Sequence, residues 1–370
     1  MAQGLFDGQE YNKVLNFQSP KKSPSVGGFQ KGLREVYTVN RTQSAPTRRA
    51  NRRYISQNPE RILDAPELMD DFYLNLLDWN ADNILAVALG QTVYLWNATN
   101  GNIQELMQAQ GVDNYITSIS WIQRGNFIAI GTNNAEVQLW DTSKLKQVRN
   151  MKGHLARVGA LAWNDYIVSS GSRDSLIFNH DVRVANHHIS TLEGHRQEVC
   201  GLKWCADGRQ LASGGNDNLL NIWDVARSTP RYTLENHVAA VKALAWCPFQ
   251  RNLLASGGGT ADRQICYWNT STGTLLNSVD TKSQVCSILW SKRDKELLSS
   301  HGFSHNQLIL WKYPSMVKLA ELEGHSSRVL HLAQSPDGTT VVSAAADETL
   351  RFWRVFGACE KSKKKDEHPK

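Results

Sequence analysis

Short apolar runs, each about the length of a β-strand, alternate with clusters of turn-forming residues along most of the chain. Residues 194–224 show the pattern most completely, with three runs that read VCGLKW, QLASGG and LLNIW. Ala-Asp-Gly separates the first two runs and Asn-Asp-Asn separates the second two, as tight turns between antiparallel strands require. The pattern predicts a small antiparallel sheet that opens with Gly-His and closes with Trp-Asp.

This unit repeats along the chain. The closing Trp recurs at steps of 40 to 45 residues, with a His in its place once, and all 12 tryptophans lie either there or in the first apolar run of a unit. A Gly-His…Trp-Asp unit of about 40–45 residues is typical of one four-stranded WD-repeat blade. We therefore predict an all-β fold, a seven-bladed WD-repeat β-propeller. The seven closing positions are Trp96, Trp140, His180, Trp223, Trp268, Trp311 and Trp353.

Four units also share a His, a Ser and an Asp at matching positions, for example His195, Ser213 and Asp217. One interpretation is a Ser-His-Asp triad for nucleophilic catalysis, but catalysis needs one such set and the chain has four. A buried hydrogen-bond chain inside each blade accounts for the repetition, so we expect no enzyme. Units one, two and six lack the full set.

The regular pattern stops near residue 356 and leaves the seventh unit one strand short. Residues 53–64 hold the only unassigned candidate strand, at 54–63, which we expect to close the ring beside 349–355. The polar composition of residues 1–52 predicts a disordered N-terminal extension. The predicted organisation is a disordered regulatory and partner-binding segment at 1–52, a propeller at 53–357 and a short basic tail at 358–370.

Charge and composition narrow the possible functions. The net charge of +6 belongs to the termini, since residues 1–60 carry +6 and 358–370 carry +2, which leaves −2 for the remainder. A propeller with this charge is a poor nucleic-acid surface. The six cysteines form no Cys-x-x-Cys pair, which argues against a zinc or disulfide framework. No apolar run has the length of a signal peptide or of a membrane span, so we expect an intracellular protein without metal, cofactor or membrane partner.

In a propeller, the loops that enter each first strand and those that join second to third strands emerge on the same face. Polar residues in these loops should converge at one mouth of the central channel and form a site for a short charged peptide. Ordinary surface polarity is the alternative interpretation. The residues concerned are Asp71, Phe72, Arg157, Asn216, Asn218, Thr260, Gln284 and Arg328.

Several stretches, loops included, resemble the Fizzy family of substrate-recruiting activators of the anaphase-promoting complex, a ubiquitin ligase of the cell cycle. They read ERILDAPELMDDFYLNLLDW, GHRQEVCGLKW, ASGGNDNLLNIW, GGGTADR, SQVCSILW, HNQLILWKYPS and SAAADETLRFW, and the resemblance extends over residues 53–357. It implies a substrate adaptor that recognises destruction-box and Lys-Glu-Asn-box degrons in cell-cycle proteins. The implied partners are subunits of the ligase, substrates such as cyclins and securin, and spindle-checkpoint proteins, in the cytoplasm and nucleus. The Fizzy-related branch is the alternative to the mitotic Fizzy branch.

The resemblance also implies site residues. The Lys-Glu-Asn-box receptor at the channel mouth corresponds to Asp71, Phe72, Asn216, Asn218, Thr260, Gln284 and Arg328. The destruction-box receptor, in the groove between blades seven and one, corresponds to Leu63, Asp64, Val87, Tyr94 and Glu348. A checkpoint-protein binding motif corresponds to Lys13, Val14 and Leu15. Two serines that precede proline are candidate phosphorylation sites, although a turn-forming linker explains them equally well: Ser19 and Ser23.

Two motifs that are typical of the family are not found in this sequence. No Asp-Arg-aromatic-Ile-Pro-x-Arg motif occurs in 1–52, and the sequence has Glu-His-Pro-Lys where family members usually end in Ile-Arg. In the family these motifs engage the ligase. The alternative interpretation is therefore a family member that binds degrons or checkpoint proteins without activating the ligase.

Overall fold

The structure is a computed structural model that describes residues 53–357. In this part, the chain forms 28 β-strands in seven antiparallel sheets of four strands each, and it forms no helix. No helix that could cross a membrane is therefore found there. The architecture is the seven-bladed all-β propeller that the repeat predicted.

The strands are short, three to seven residues each, as expected where turn residues interrupt the apolar runs so often. In chain order they are β1 (Arg61–Asp64), β2 (Leu77–Trp79), β3 (Ile84–Leu89), β4 (Thr92–Asn97), β5 (Ile103–Gln108), β6 (Ile116–Trp121), β7 (Phe127–Thr132), β8 (Val137–Asp141), β9 (Lys146–Met151), β10 (Ala160–Asn164), β11 (Ile167–Gly171), β12 (Ile177–Asp181), β13 (His188–Leu192), β14 (Val199–Trp204), β15 (Gln210–Gly215), β16 (Leu220–Asp224), β17 (Tyr232–Leu234), β18 (Val241–Trp246), β19 (Leu253–Gly258), β20 (Gln264–Asn269), β21 (Thr274–Asp280), β22 (Val285–Trp290), β23 (Glu296–His301), β24 (Leu308–Lys312), β25 (Val317–Leu322), β26 (Val329–Gln334), β27 (Thr340–Ala345) and β28 (Thr349–Arg354).

Blades one to six are meanders of four consecutive strands, from β2–β5 in blade one to β22–β25 in blade six. The first strands of neighbouring blades contact one another around a central channel. Blade seven is different, because its strand order is β26, β27, β28 and then β1. The fourth strand of the last blade thus comes from the part of the chain that precedes the first blade.

Strand β1 closes the ring by antiparallel pairing with β28, with Asp64 opposite Thr349. This is the pairing that we expected, but the strand starts later than the predicted 54–63. Pro59 explains the late start, because proline has no N–H to donate to a strand ladder. The N–H of the next residue, Glu60, is the first to reach the partner strand, 2.7 Å from a carbonyl oxygen of β28.

The tryptophans at the two repeat positions make different hydrogen bonds. In blades three to six, the first-strand tryptophan bonds to the preceding blade; the indole N–H of Trp163, for example, donates to the carbonyl oxygen of Ser120 at 3.0 Å. In five blades, the closing tryptophan bonds within its own blade, as when Trp268 donates to Ser256 Oγ at 2.7 Å. The repeated indoles therefore hold several sheets together internally and join four of them to the preceding blade.

The shared His, Ser and Asp residues form buried chains, as the repetition predicted. In blade five, His237 Nδ1 lies 2.6 Å from an Asp262 oxygen, and its Nε2 lies 2.7 Å from Ser256 Oγ. The same hydroxyl accepts the hydrogen bond of Trp268, and it is fully buried. A serine enclosed in this way stabilises the blade and is inaccessible to a substrate.

Two blades modify this arrangement. Blade six lacks the His and Asp of the repeat. There His301, at the end of a strand, supplies the imidazole, and its Nε2 lies 2.7 Å from Ser299 Oγ. In blade three, His180 replaces the closing Trp and lies 3.0 Å from the ring of His187. Burial lowers the pKa of His180 and of His301 to about 3, so both imidazoles are neutral at pH 7.

Residues 65–76 connect β1 to β2 across the mouth of the channel. Leu74 and Leu76 in this link are buried. Between them, the side-chain amide of Asn75 donates to the carbonyl oxygens of Gly159 at 2.7 Å and Cys200 at 3.0 Å. Contacts with blades three and four therefore hold the link over the channel, where residues 69–73 line a cavity.

Candidate functional site

A cavity of about 760 Å³ opens at this mouth of the channel. Loops of blades four to seven and the link between β1 and β2 surround it, so most of the predicted loops converge there. Arg157 of blade three, predicted with them, does not line the cavity and instead pairs with Asp71. All seven residues predicted for the Lys-Glu-Asn-box receptor line the cavity, namely Asp71, Phe72, Asn216, Asn218, Thr260, Gln284 and Arg328. Asp70 and Tyr73 also line it, although sequence reasoning did not single them out.

The acidic side of the cavity is built around Arg157. Its Nη1 donates to Asp71 Oδ2 at 2.7 Å, while Nε and Nη2 donate to the two carboxylate oxygens of Glu198 at 2.7 and 3.0 Å. Burial by itself would lower the pKa of Arg157, but the hydrogen bonds and charges of Glu198, and then of Asp71, raise that pKa above its ordinary value. The N–H of Tyr73 donates to the other Asp71 oxygen at 2.8 Å. Asp71 is therefore a fixed carboxylate with a partly exposed face.

The basic side of the cavity is Arg328. Its Nε donates to Asp70 Oδ1 at 2.5 Å, and its Nη2 donates to the backbone carbonyl oxygen of Asp70 at 3.1 Å. Beside it lies Gln284, which is buried. A side chain at Gly302 would come within 3.0 Å of the Gln284 amide oxygen, so a residue without a side chain leaves room there.

Amide and hydroxyl groups complete the wall. The phenol of Tyr73 donates to Asn216 Oδ1 at 2.8 Å, and the Asn216 amide donates to Gln197 at 2.7 Å. Burial raises the pKa of Tyr73, and nearby negative charges add to the shift, so the phenol stays protonated as a donor. Asn218 follows with a φ of +67°, a conformation that asparagine adopts more readily than most residues. Tyr73 directly follows the predicted pair Asp71 and Phe72 in the sequence, and this position was the signal that could have identified it.

The apolar part of the cavity is Phe72, which packs with Ala240, Cys286 and Leu330 in one buried cluster. The ammonium of Lys242 lies 5.5 Å from the centre of the Phe72 ring and donates to the Leu330 carbonyl oxygen at 3.1 Å. Burial lowers the pKa of Lys242 to about 8. The cavity thus combines a carboxylate, a guanidinium, amides and one aromatic surface, which are the groups that a short charged peptide requires.

The second predicted set lies at the seam between blades seven and one. Leu63, Val87 and Tyr94 belong to one apolar cluster, in which Leu63 and Tyr94 remain partly exposed. Val87 and Tyr94 face each other as cross-strand partners. Asp64 and Glu348 lie at the same end of the β1–β28 pair with exposed side chains. The structure therefore brings an apolar surface and two carboxylates together at the expected seam.

The remaining predicted residues fall outside the described part of the chain: Lys13, Val14, Leu15, Ser19 and Ser23. Within residues 53–357, no group of His, Cys, Asp or Glu side chains is arranged to hold a metal ion.

Fold and cavity together define a class of protein, a WD-repeat propeller with a charged, peptide-sized cavity at its channel mouth. Residues 63–353 match the family described as the CDC20/Fizzy WD40 domain. The chain belongs to the CDC20/Fizzy family, as the resemblance in its loops predicted.

Individual relatives agree with this assignment. "Anaphase-promoting complex subunit cdc20" of Dictyostelium discoideum is 60% identical over 365 residues, which cover 96% of this chain and 73% of that protein. "Cell division cycle 20.1, cofactor of APC complex" of Arabidopsis thaliana is 54% identical, over 92% of this chain and 82% of the relative. "Protein FIZZY-RELATED 1" of the same plant is 54% identical, over 94% and 70%. A chain in "Crystal Structure of Mitotic Checkpoint Complex" has a TM-score of 0.80 and 50% identity, over 82% of this chain and 97% of that chain.

Proposed function

We propose that this protein is a substrate adaptor and activator of the anaphase-promoting complex, which binds destruction-box and Lys-Glu-Asn-box degrons and presents their carriers for ubiquitination. The observation that carries the proposal is the mouth cavity, where five separate segments of the chain bring seven predicted receptor residues together. Membership of the CDC20/Fizzy family and the names of the relatives support it. Under this proposal the protein acts in the cytoplasm and nucleus, and its substrates include cyclins and securin.

The charges of the cavity match a Lys-Glu-Asn sequence in order. The fixed carboxylate of Asp71 would bind the lysine ammonium, and the Arg328 guanidinium would bind the glutamate carboxylate. The side chains of Asn216 and Thr260 offer both donors and acceptors, which suit the asparagine amide. Phe72 would pack against the apolar stems of the peptide side chains.

The seam between blades seven and one would bind the destruction box. Asp64 and Glu348 are two exposed carboxylates close in the strand pair, as required to hold the arginine of an Arg-x-x-Leu peptide. The leucine would pack on the partly exposed side chains of Leu63 and Tyr94, which the buried Val87 supports from below. The two peptides would therefore bind independently.

The solved relative from a mitotic checkpoint complex supports a further part of the proposal, an association with spindle-checkpoint proteins. We infer that Lys13, Val14 and Leu15 form the contact. Phosphorylation at Ser19 or Ser23 would add about two negative charges close to it and weaken or redirect the contact.

Titration of the full chain with two fluorescent peptides tests the degron part. A Lys-Glu-Asn peptide and an Arg-x-x-Leu peptide should both bind, and Arg328→Ala should weaken only the first while Glu348→Gln weakens only the second. Loss of both peptides in each variant would contradict the two-site proposal, provided that the variants melt like the parent protein.

A reconstituted ubiquitination assay with the purified ligase tests activation. The expected result is stimulated ubiquitination of a degron-bearing substrate. Binding of both peptides without stimulation would instead support the alternative, a family member that binds degrons without activating the ligase.

A further inference from the structure

Arg328 already has an anionic partner within the chain. Its Nε lies 2.5 Å from the Asp70 carboxylate, and its Nη2 lies 3.1 Å from the Asp70 backbone carbonyl oxygen. The Asp70 side chain is 54% exposed, whereas the Arg328 side chain is 20% exposed. A carboxylate that arrives in the cavity must therefore share or replace this bond in order to bind the guanidinium.

The two neighbouring aspartates of the link are held very differently. Asp71 accepts hydrogen bonds on both oxygens, one from Arg157 at 2.7 Å and one from the backbone of Tyr73 at 2.8 Å. The Asp70 carboxylate pairs with Arg328 through one oxygen, and more than half of its side chain faces solvent. Displacement of the Asp71 carboxylate would break a network with Glu198, whereas displacement of the Asp70 carboxylate breaks a single exposed pair that water can replace.

We propose that Asp70 is a replaceable counterion of Arg328 and that a carboxylate of the bound peptide displaces Asp70 from the guanidinium. Residue 70 therefore sets how strongly the cavity selects an acidic ligand residue. This inference rests on the proposed function of the cavity as a degron receptor. The ligand class it defines is a short peptide with a basic side chain next to an acidic one, because the fixed Asp71 carboxylate lines the same cavity and favours a cation there.

The expected size of the effect follows from competition. A peptide carboxylate can bind only those molecules in which Arg328 is free, so the apparent affinity equals the intrinsic affinity multiplied by the free fraction. An exposed ion pair of ordinary strength, about 0.2–1 kcal/mol, leaves Arg328 free about one sixth to two fifths of the time. Removal of the Asp70 charge should therefore tighten an acidic peptide about two- to sixfold.

Asp70→Asn is the matched change, because it removes the charge and keeps both an oxygen acceptor and the backbone carbonyl that positions Arg328. Two peptides are measured by titration against the full chain, one with Lys-Glu-Asn and one with Lys-Gln-Asn. Asp70→Asn should tighten the first about two- to sixfold and leave the second nearly unchanged, so the preference for Glu over Gln should grow. Glu67→Gln is the control for net charge, since this exposed carboxylate in the same link does not line the cavity, and it should leave both affinities unchanged.

The opposite role for Asp70 gives a different result. If its carboxylate served to position Arg328 for the ligand, Asp70→Asn and Asp70→Ala would both weaken the Lys-Glu-Asn peptide, and this outcome overturns the inference. Equal affinities of the parent and Asp70→Asn proteins for a peptide that binds well would also overturn it, while the proposed degron function would stand. If the melting curves show that every variant is folded and no variant binds either peptide, both proposals are contradicted.

Discussion

Replacement of Asp71 by Asn removes the fixed carboxylate charge on the acidic side of the mouth cavity with almost no change in side-chain size. The amide oxygen can still accept the N–H of Tyr73, and Arg157 keeps its two hydrogen bonds to Glu198 at 2.7 and 3.0 Å. We therefore expect a small loss of stability. The change should act mainly on the ammonium group of a bound Lys-Glu-Asn peptide.

The magnitude follows from the surroundings of the carboxylate. A hydrogen bond to a charged group contributes about 1.5–3 kcal/mol. The Asp71 side chain is 24% exposed and already pairs with Arg157, so we expect a value at or slightly below the lower end of that range. Asp71→Asn should weaken the Lys-Glu-Asn peptide by about 1–2 kcal/mol, which corresponds to about five- to thirtyfold in Kd.

A double-mutant cycle separates the direct contact from an indirect one. The second peptide has norleucine in place of lysine, which keeps the aliphatic stem and lacks the ammonium group. Binding of both peptides to the parent protein and to Asp71→Asn is measured by fluorescence anisotropy, with an Arg-x-x-Leu peptide as the control for the seam. The coupling energy between the lysine and Asp71 should be about 1–2 kcal/mol.

An equal loss for the lysine and norleucine peptides would refute this reasoning. In that case Asp71 would act by holding Arg157 and the backbone of the link, without touching the ligand cation. A parallel loss for the Arg-x-x-Leu peptide would point to a change in the whole propeller.

Three other predictions concern the fold. A chain that starts at Pro66 lacks β1 and should have an unfolding free energy about 3–6 kcal/mol lower than a chain that starts at Pro59, because the four-residue strand ladder is removed. Equal denaturation midpoints for the two chains would show that β1 does not stabilise the ring. Ser256→Ala should cost about 2–4 kcal/mol, since it leaves the buried indole N–H of Trp268 without its acceptor and His237 Nε2 without its hydrogen-bond partner. The exposed Ser315→Ala, measured in the same urea titrations, should cost almost nothing. In the unfolded chain the His180 imidazole binds a proton below pH ~6.5, whereas in the folded chain, with a pKa of about 3, it does not. Its contribution to stability therefore falls by about 2 kcal/mol from pH 7 to pH 5. His180→Trp introduces the residue of the other blades and should remove that part of the pH dependence, and an unchanged pH profile of stability would contradict this prediction.

The repeat made most of the fold predictable. Strand-length runs, turn residues and periodic tryptophans predicted the number of blades, and the missing strand of the seventh blade predicted the closure. The bounds of β1 were missed because the apolar pattern was given more weight than Pro59, a residue visible in the sequence that interrupts strand pairing. The imidazole of blade six was missed since His301 lies at the end of a strand, away from the repeat position that supplies the other histidines.

The candidate site was predictable to the level of which loops meet, and no further. Asp70 and Asp71 are adjacent in the sequence and chemically identical, and only the direction of the backbone decides which of them reaches Arg328. Sequence reasoning singled out Asp71 and passed over Asp70. The pairing of Arg157 with Glu198 was also hidden, because the two residues are far apart along the chain and belong to different blades.

The position of β1 links ring closure to both proposed binding sites. Strand β1 supplies Leu63 and Asp64 to the seam between blades seven and one, and the link that follows it carries Asp70 and Asp71 into the mouth cavity. The link is held in place at two ends, by the β1–β28 pairing and by the contacts of Asn75 inside the channel. A change that opens the seam should therefore weaken both peptides together, even though no residue is shared between the two sites. A change at one contact should weaken one peptide alone, so the pattern of loss distinguishes a displaced link from a missing side chain.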